Sequence, residues 1–252
     1  MRVLLLGGTQ DARALAQLLH DDPHFEGISS LAGVTREPTP YPGQVRRGGF
    51  GGSPGLRRYL GEAGVQVVVD ATHPYATTMS QTAATIVAEL GLPLLRLERD
   101  AWEAGAADQW VLCESLERAL EALPDTARAL LTTGASTLSR PLPEAPQLIV
   151  RMIEPPEGYV PPNVEVLLAR PPFPEASERE VMRDQRVTHL ITKNAGGARA
   201  KLDAAAACEV TVLMIRRPRP PDPCPPRVTT VAEAMVWLAD VAKRAQSAAA
   251  RA

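Results

Sequence analysis

Two apolar patterns alternate along the chain. Residues 3–6, Val3-Leu4-Leu5-Leu6, form a short unbroken apolar run, as expected of a strand buried on both faces of a parallel sheet. Ala12, Leu15, Ala16 and Leu19 then recur at helical spacing. The pattern predicts strands at 28–33 and 44–48, a helix over 54–62 and a buried strand over 65–70 that runs into Ala71-Thr72-His73-Pro74. Met79, Ala83, Ile86, Val87 and Leu90 share one helical face, Gly91 ends that helix, and 92–97 is the next strand. The second half starts again, with strands at 111–112, 129–132, 148–153, 164–168, 189–192 and 210–215 and a helix over 201–207. Ser177 with Glu180, and Thr230 with Glu233, have the spacing of a capping box. Val231, Ala234, Met235, Leu238 and Val241 make the apolar face of a last helix, and residues 247–252 are expected to fray.

Short crossovers in a βαβ series force parallel strands with helices on both faces. The predicted fold class is therefore α/β, with two Rossmann-like doubly wound parallel-sheet domains and an active-site cleft expected between them. A small, polar connector at 101–109 places the boundary, giving an N-terminal domain 1–105 and a C-terminal domain 106–252. Residues 218–226 form a rigid, proline-rich connector within the second.

Composition narrows the chemistry. At 252 residues and 45% hydrophobic content the chain can bury real cores. A formal net charge of −2 implies no general polyanion surface, so no nucleic-acid partner is expected. Three scattered cysteines and four histidines without ligand spacing suggest neither disulfides nor a metal site. No apolar run is long enough to span a bilayer, and the N-terminus opens directly on a strand, so a cytoplasmic protein is expected. Only Lys193, Lys201 and Lys243 supply lysine; the remaining basic residues are arginine, whose planar fork suits carboxylate and phosphate.

Candidate chemistry clusters at predicted strand ends. Gly7-Gly8-Thr9-Gln10 follows the first strand and could seat a phosphate on free N–H groups at a helix start, with Thr9 adding a hydroxyl. The same residues would also serve as a plain βα turn. After the second strand, Thr35 and Arg36 precede the first acid, Glu37, and lean toward a 2′-phosphate, hence NADPH over NADH; a solvated loop is the other reading. Gly48-Gly49-Phe50-Gly51-Gly52 suits close wrapping on a flat or anionic ligand, or a hinge. His73 ends a central strand, where it could donate a proton or be structural. Thr133-Gly134 occupies the equivalent place in the second half. Lys193-Asn194-Ala195-Gly196-Gly197 could hold anionic groups by charge and backbone donors. No Walker motif or Y-x-x-x-K pair is present, which argues against P-loop hydrolysis and short-chain dehydrogenase chemistry.

Taken in order, these pieces resemble the precorrin-6A reductases of cobalamin biosynthesis. The resemblance is carried by LLGGTQDAR at 5–13, SLAG at 30–33, GGFGGSPGLRRYL at 48–60, VDATHPYA at 69–76, LLRLERDAW at 94–102, TKNAGG at 192–197 and KLDA at 201–204. Ala195 stands where Ser is common in the family, and Arg36 sits one place later than usual. The resemblance implies two Rossmann-like domains, in some members with a strand crossing between them. It also implies NADPH-dependent reduction of a macrocycle double bond of precorrin-6A, with or without cobalt, to precorrin-6B, and brief contact with the pathway's next methyltransferase. The candidate cofactor contacts are Gly7, Gly8, Thr9, Gln10, Thr35, Arg36, Thr133 and Gly134, and the candidate substrate contacts are Gly49, Phe50, Gly51, Thr72, Lys193, Asn194, Gly196 and Gly197.

A precorrin carries several carboxylates, for which Arg13, Arg46, Arg47, Arg96 and Arg99 are candidates. His73 and Tyr75 are the candidate proton donors if a side chain assists the hydride transfer. The alternatives are another NADPH reductase on the same scaffold, or a non-enzymatic nucleotide sensor.

Overall fold

All strand pairings are parallel in the computed structural model, which describes residues 1–33 and 40–249. Each predicted apolar run coincides with one of these strands. The first stretch runs β1 (Arg2–Leu6), α1 (Gln10–Asp21), β2 (Glu26–Leu31), β3 (Gln44–Arg47), α2 (Gly52–Glu62), β4 (Val67–Asp70), α3 (Thr77–Glu89) and β5 (Leu94–Leu97). The second runs β6 (Trp110–Cys113), α4 (Leu116–Glu121), β7 (Arg128–Leu131), a 3-10 helix (Ala135–Ser139), β8 (Gln147–Met152), β9 (Val164–Leu168), α5 (Glu175–Asp184), β10 (His189–Lys193), α6 (Ala200–Ala207) and β11 (Thr211–Ile215). The chain closes with β12 (Arg227–Val228) and α7 (Val231–Ala249). The final helix thus continues through 247–249, where fraying was expected.

The strands form two sheets of six, ordered β12-β5-β4-β1-β2-β3 and β6-β11-β10-β7-β8-β9. Counting from β1 in one and β7 in the other, five strands follow the same order, and a sixth lies outside the fifth. Each sixth strand comes from the other end of the connectivity. β6 follows β5 in the chain yet pairs with β11, while β12 follows β11 yet pairs with β5. Two compact units result: Met1–Asp100 with the segment from Pro218, and Ala101–Arg217. This corrects the linear boundary at its C-terminal end, because 218 onward belongs with the first unit. The correction follows the strand crossing that the resemblance allows. Its physical basis is the pairing of Arg227 and Val228 with Arg96 and Leu97, and the packing of Ala234, Leu238 and Val241 on the first sheet.

Alternation along the strands builds the first core. Val3, Leu5, Val67 and Val69 point to the face covered by α1 and α7, and Leu4, Leu6 and Val68 to the face covered by α2 and α3. Both faces are apolar, which is why the runs in the sequence are unbroken. In the second unit, Leu130, Ile149, Leu190, Val212 and Met214 pack under α5 and α6 through Met182, Leu202, Ala204 and Ala205.

The two capping boxes part company. Thr230 N donates to Glu233 Oε2 at 3.0 Å and Glu233 N to Thr230 Oγ1 at 3.2 Å, as the spacing predicts. Ser177 instead lies inside α5, which begins at Glu175 behind Pro174. That register turns Glu178 into the core, where both carboxylate oxygens accept from Arg151 at 2.9 and 3.0 Å.

Candidate active site

In an open α/β sheet the ligand crevice lies at the carboxyl ends of the strands, where the strand order reverses. In the first unit that point is between β1 and β4, whose connections leave on opposite faces through α1 and α3.

The glycine turn sits there. Gly8 adopts φ 118°, open only to glycine without strain, and nothing lies within 4 Å of where its Cβ would stand. Gly7 N continues the sheet by donating to Ser30 O at 2.9 Å. Thr9 is the N-cap of α1: its Oγ1 accepts from Ala12 N at 3.0 Å and donates to Ala71 O at 2.9 Å. The Thr9 hydroxyl proton, expected to face a phosphate, is therefore spent on tying β1 to β4. Gln10 and Asp11 open the helix, and helix geometry gives their amides no intrahelical acceptor. The Asp11 carboxylate, which would repel an anion there, is matched by both arms of Arg99. Thr35 and Arg36 lie outside the described residues.

Beyond β3, Arg46 organizes the glycine-rich loop. Its guanidinium donates to Ser30 Oγ at 2.7 Å and to the carbonyls of Gly48 and Gly49 at 3.0 Å, and stacks 3.8 Å over the Phe50 ring. Phe50 meets Tyr59 edge-on at 5.3 Å and packs on the core, so its ring anchors the loop. Gly49 and Gly51 remain exposed. Gly55 allows this geometry, since a Cβ there would come within 1.6 Å of Phe50 O. A glycine in the first turns of a predicted helix was the available sequence signal for that contact.

Below the β4 end lies a buried polar network. Asp70 Oδ1 accepts from Thr72 N and Oγ1 at 3.1 and 2.7 Å. Asp70 Oδ2 accepts from Arg96 at 2.6 Å, and the same Arg96 nitrogen reaches Ser80 Oγ at 2.7 Å. Glu98 takes the remaining side of that guanidinium. Thr72, a predicted substrate contact, is buried in this network. Its amide and hydroxyl tie the residue before His73 to Asp70. His73 itself is exposed, and its Nδ1 faces the Tyr75 amide at 3.3 Å. Accepting there leaves the neutral ring's proton on Nε2. The Tyr75 ring lies 5.5 Å away. Pro74, Thr77, Thr78, Ser80, Arg96 and Arg219 help line an adjoining cavity of ≈ 300 Å³.

The second unit brings Lys193 and Thr133 together. Lys193 Nζ donates to Thr133 O at 2.9 Å, and burial pulls its ammonium pKa below the usual lysine range, with Arg140 adding to the effect. Thr133 Oγ1 pairs with Thr137 at 2.7 Å, and Gly134 leads into the 3-10 helix. Asn194 clamps the Trp102 backbone. Its Oδ1 accepts from Trp102 N at 2.7 Å and its Nδ2 donates to Trp102 O at 2.9 Å, while the Trp102 indole holds Gly197 O at 2.8 Å. Gly196 and Gly197, both at positive φ, complete that loop. Lys201 lies 5.3 Å over the Trp102 ring, and burial lowers its pKa to about 8, with Arg151 adding and Glu178 opposing.

Of the five arginines offered for substrate carboxylates, Arg46, Arg96 and Arg99 are engaged within the fold. Arg13 and Arg47 are exposed. Among the described residues no group of His, Cys, Asp or Glu could hold a metal ion, and no helix is long and apolar enough to cross a membrane.

Comparison with known proteins converges on one family. The precorrin-6A reductase of Rhodococcus erythropolis is 42% identical over 247 residues, covering 96% of this chain and 99% of the relative. The cobalt-precorrin-6A reductase of Priestia megaterium is 28% identical, covering 86% and 91%. A solved structure described as CobK precorrin-6A reductase superposes with a TM-score of 0.89 at 39% identity, over 96% of this chain and 97% of that one. The family model for the precorrin-6x reductase CbiJ/CobK matches residues 2–239. The chain therefore belongs to the CbiJ/CobK family of precorrin-6x reductases.

Proposed function

We propose that this oxidoreductase reduces precorrin-6A to precorrin-6B in cobalamin biosynthesis, using NADPH held at the strand-end turn of the first unit. Family membership supports the reaction. One observation supports the seat: at the point where strand order reverses, Gly8 opens the head of a 12-residue helix to close backbone approach. A diphosphate needs such an approach, and the open space beside Gly8 fits it. NADPH, when bound, supplies the hydride.

The chain's own residues bind and orient. Gly7, Gly8 and Gln10 are proposed to meet the diphosphate, and Thr35 and Arg36 the 2′-phosphate. Thr133 and Gly134 are proposed as further cofactor contacts. The exposed backbone of Gly49 and Gly51, stiffened by Arg46, offers a surface to the flat macrocycle. Lys193, Gly196 and Gly197 are proposed for its carboxylates. His73, with its proton on Nε2, can protonate the substrate as hydride arrives, with Tyr75 beside it. The product then passes to the pathway's next methyltransferase, in the reducing cytoplasm.

Identity of 42% to a relative named for precorrin-6A, against 28% to one named for cobalt-precorrin-6A, favours the cobalt-free macrocycle. Nicotinamide absorbance tests the reading. NADPH should be consumed in proportion to added precorrin-6A, and faster than with the cobalt form. Arg36→Ala should raise the KM for NADPH about tenfold and leave NADH unchanged, since it removes charge-assisted bonds to one phosphate. Equal losses for both would contradict the 2′-phosphate assignment, and no NADPH consumption would contradict the cofactor.

A further inference from the structure

Tyr41 lies between β2 and β3, far along the chain from the glycine turn, yet its side chain folds back onto that turn. The phenol oxygen accepts from Gly8 N at 3.2 Å and donates to Thr9 O at 3.1 Å. It would stand 3.5 Å from a Cβ on Gly7. The ring packs against the apolar cluster beneath α1, so the hydroxyl is held in place by more than its two bonds. Burial raises the phenol pKa, although the Gly8 amide pulls the other way, and the hydroxyl keeps its proton at neutral pH and can donate.

One hydroxyl therefore satisfies both the donor and the acceptor that the turn presents at Gly8 and Thr9. An amide engaged in this way cannot also serve a phosphate oxygen. We propose that Tyr41 is a cofactor-site residue, its hydroxyl marking the position of a diphosphate oxygen on the Gly8 amide and moving off as a dinucleotide takes that amide. The inference rests on the nucleotide seat assigned to the Gly8 turn under the proposed function. The exchange is favourable in kind, because a neutral hydrogen bond gives way to a charge-assisted one. It also has a cost, because the competent arrangement must first be released from the phenol, and that lowers the apparent affinity for any dinucleotide. The diphosphate is common to both nicotinamide cofactors, so the cost falls equally on NADPH and NADH. This separates Tyr41 from Arg36, whose effect is confined to the 2′-phosphate.

Calorimetric titration of wild-type and Tyr41→Phe chains with NADP+, NAD+ and 2′-AMP tests this. Tyr41→Phe frees the Gly8 amide and should lower the Kd for NADP+ and NAD+ alike by about two- to tenfold, the range of one neutral hydrogen bond. Binding of 2′-AMP, which lacks a diphosphate, should not change. An unchanged or raised Kd for both dinucleotides, in a variant as heat-stable as the wild type, would overturn the inference. A wild-type chain that binds neither dinucleotide would contradict the cofactor reading and this inference with it. If Tyr41→Phe proves less stable, 13C-tyrosine NMR of the wild type decides. The Tyr41 signal, identified by its loss in the variant, should shift with NADP+ and not with 2′-AMP. A Tyr41 signal that stays still while NADP+ binds would rule out displacement.

Discussion

The two units share one strand order, and they use the ends of their strands in opposite ways. In the first unit the end of β1 opens backbone: Gly8 stands at positive φ with free space beside it, at the head of a full α-helix. In the second unit the corresponding end of β7 closes side chains on one another. Thr132 bonds Thr192 at 2.9 Å, Thr133 bonds Thr137 at 2.7 Å, and Lys193 caps the Thr133 carbonyl. β7 leads into a five-residue 3-10 helix, too short to aim a row of amides at an anion. Topology thus provides the same strand order twice, and loop chemistry leaves open backbone at the head of a full helix in the first.

Among the described residues each unit buries an arginine–carboxylate pair, and their positions make the comparison testable. Asp70–Arg96 lies directly under the His73 turn, with side chains 2% and 8% exposed, whereas Glu178–Arg151 joins α5 to β8, at 2% and 7%. Removing the Glu178 charge strands a buried guanidinium, so Glu178→Gln should lose about 3–5 kcal/mol in urea unfolding, and Asp70→Asn less, because Glu98 still pairs with Arg96. Only Asp70→Asn should also reduce turnover per folded molecule, because it releases the turn that carries His73. Equal turnover in the two variants would break the assignment of the first unit's strand ends to chemistry.

A smaller effect separates the units by pH. Lys201, in the second unit, has its pKa lowered from 10.5 to about 8, while Lys243, in the first, is exposed. Between those two values the unfolded chain holds a proton at Lys201 that the folded chain has lost. Stability contributed by this residue therefore rises with pH across that window, by on the order of 3 kcal/mol. Lys201→Met should flatten the rise in an unfolding series from pH 8 to 10.5. A rise that survives the substitution would place its origin elsewhere.

The strands were legible because doubly covered parallel strands need continuous apolar runs, and Val3-Leu4-Leu5-Leu6 or Val67-Val68-Val69 have no other good use. β12 was not legible: two residues, Arg227 and Val228, carry no periodicity, and only pairing with β5 makes them a strand. The crossing of the last segment followed from that pairing. Ser177 shows a motif losing to context, since Pro174 starts α5 earlier and the Arg151 charge draws Glu178 inward. At the site, the glycine turn, the GGFGG loop and His73 were visible because each needs a residue type at a strand end. Tyr41, the Asn194–Trp102 clamp and the burial of Thr72 were not, because their partners are fixed by tertiary contacts or by hydroxyl orientation.

Whether the dinucleotide sits on the first unit's turn is tested most directly by amide NMR of the 15N-labelled chain during titration with NADP+. The largest shifts should fall at Gly7, Gly8, Gln10 and Asp11, with smaller changes at Gly134 and Gly196. Saturable binding that leaves Gly8 and Gln10 unmoved, and shifts the second unit's strand ends instead, would contradict that placement.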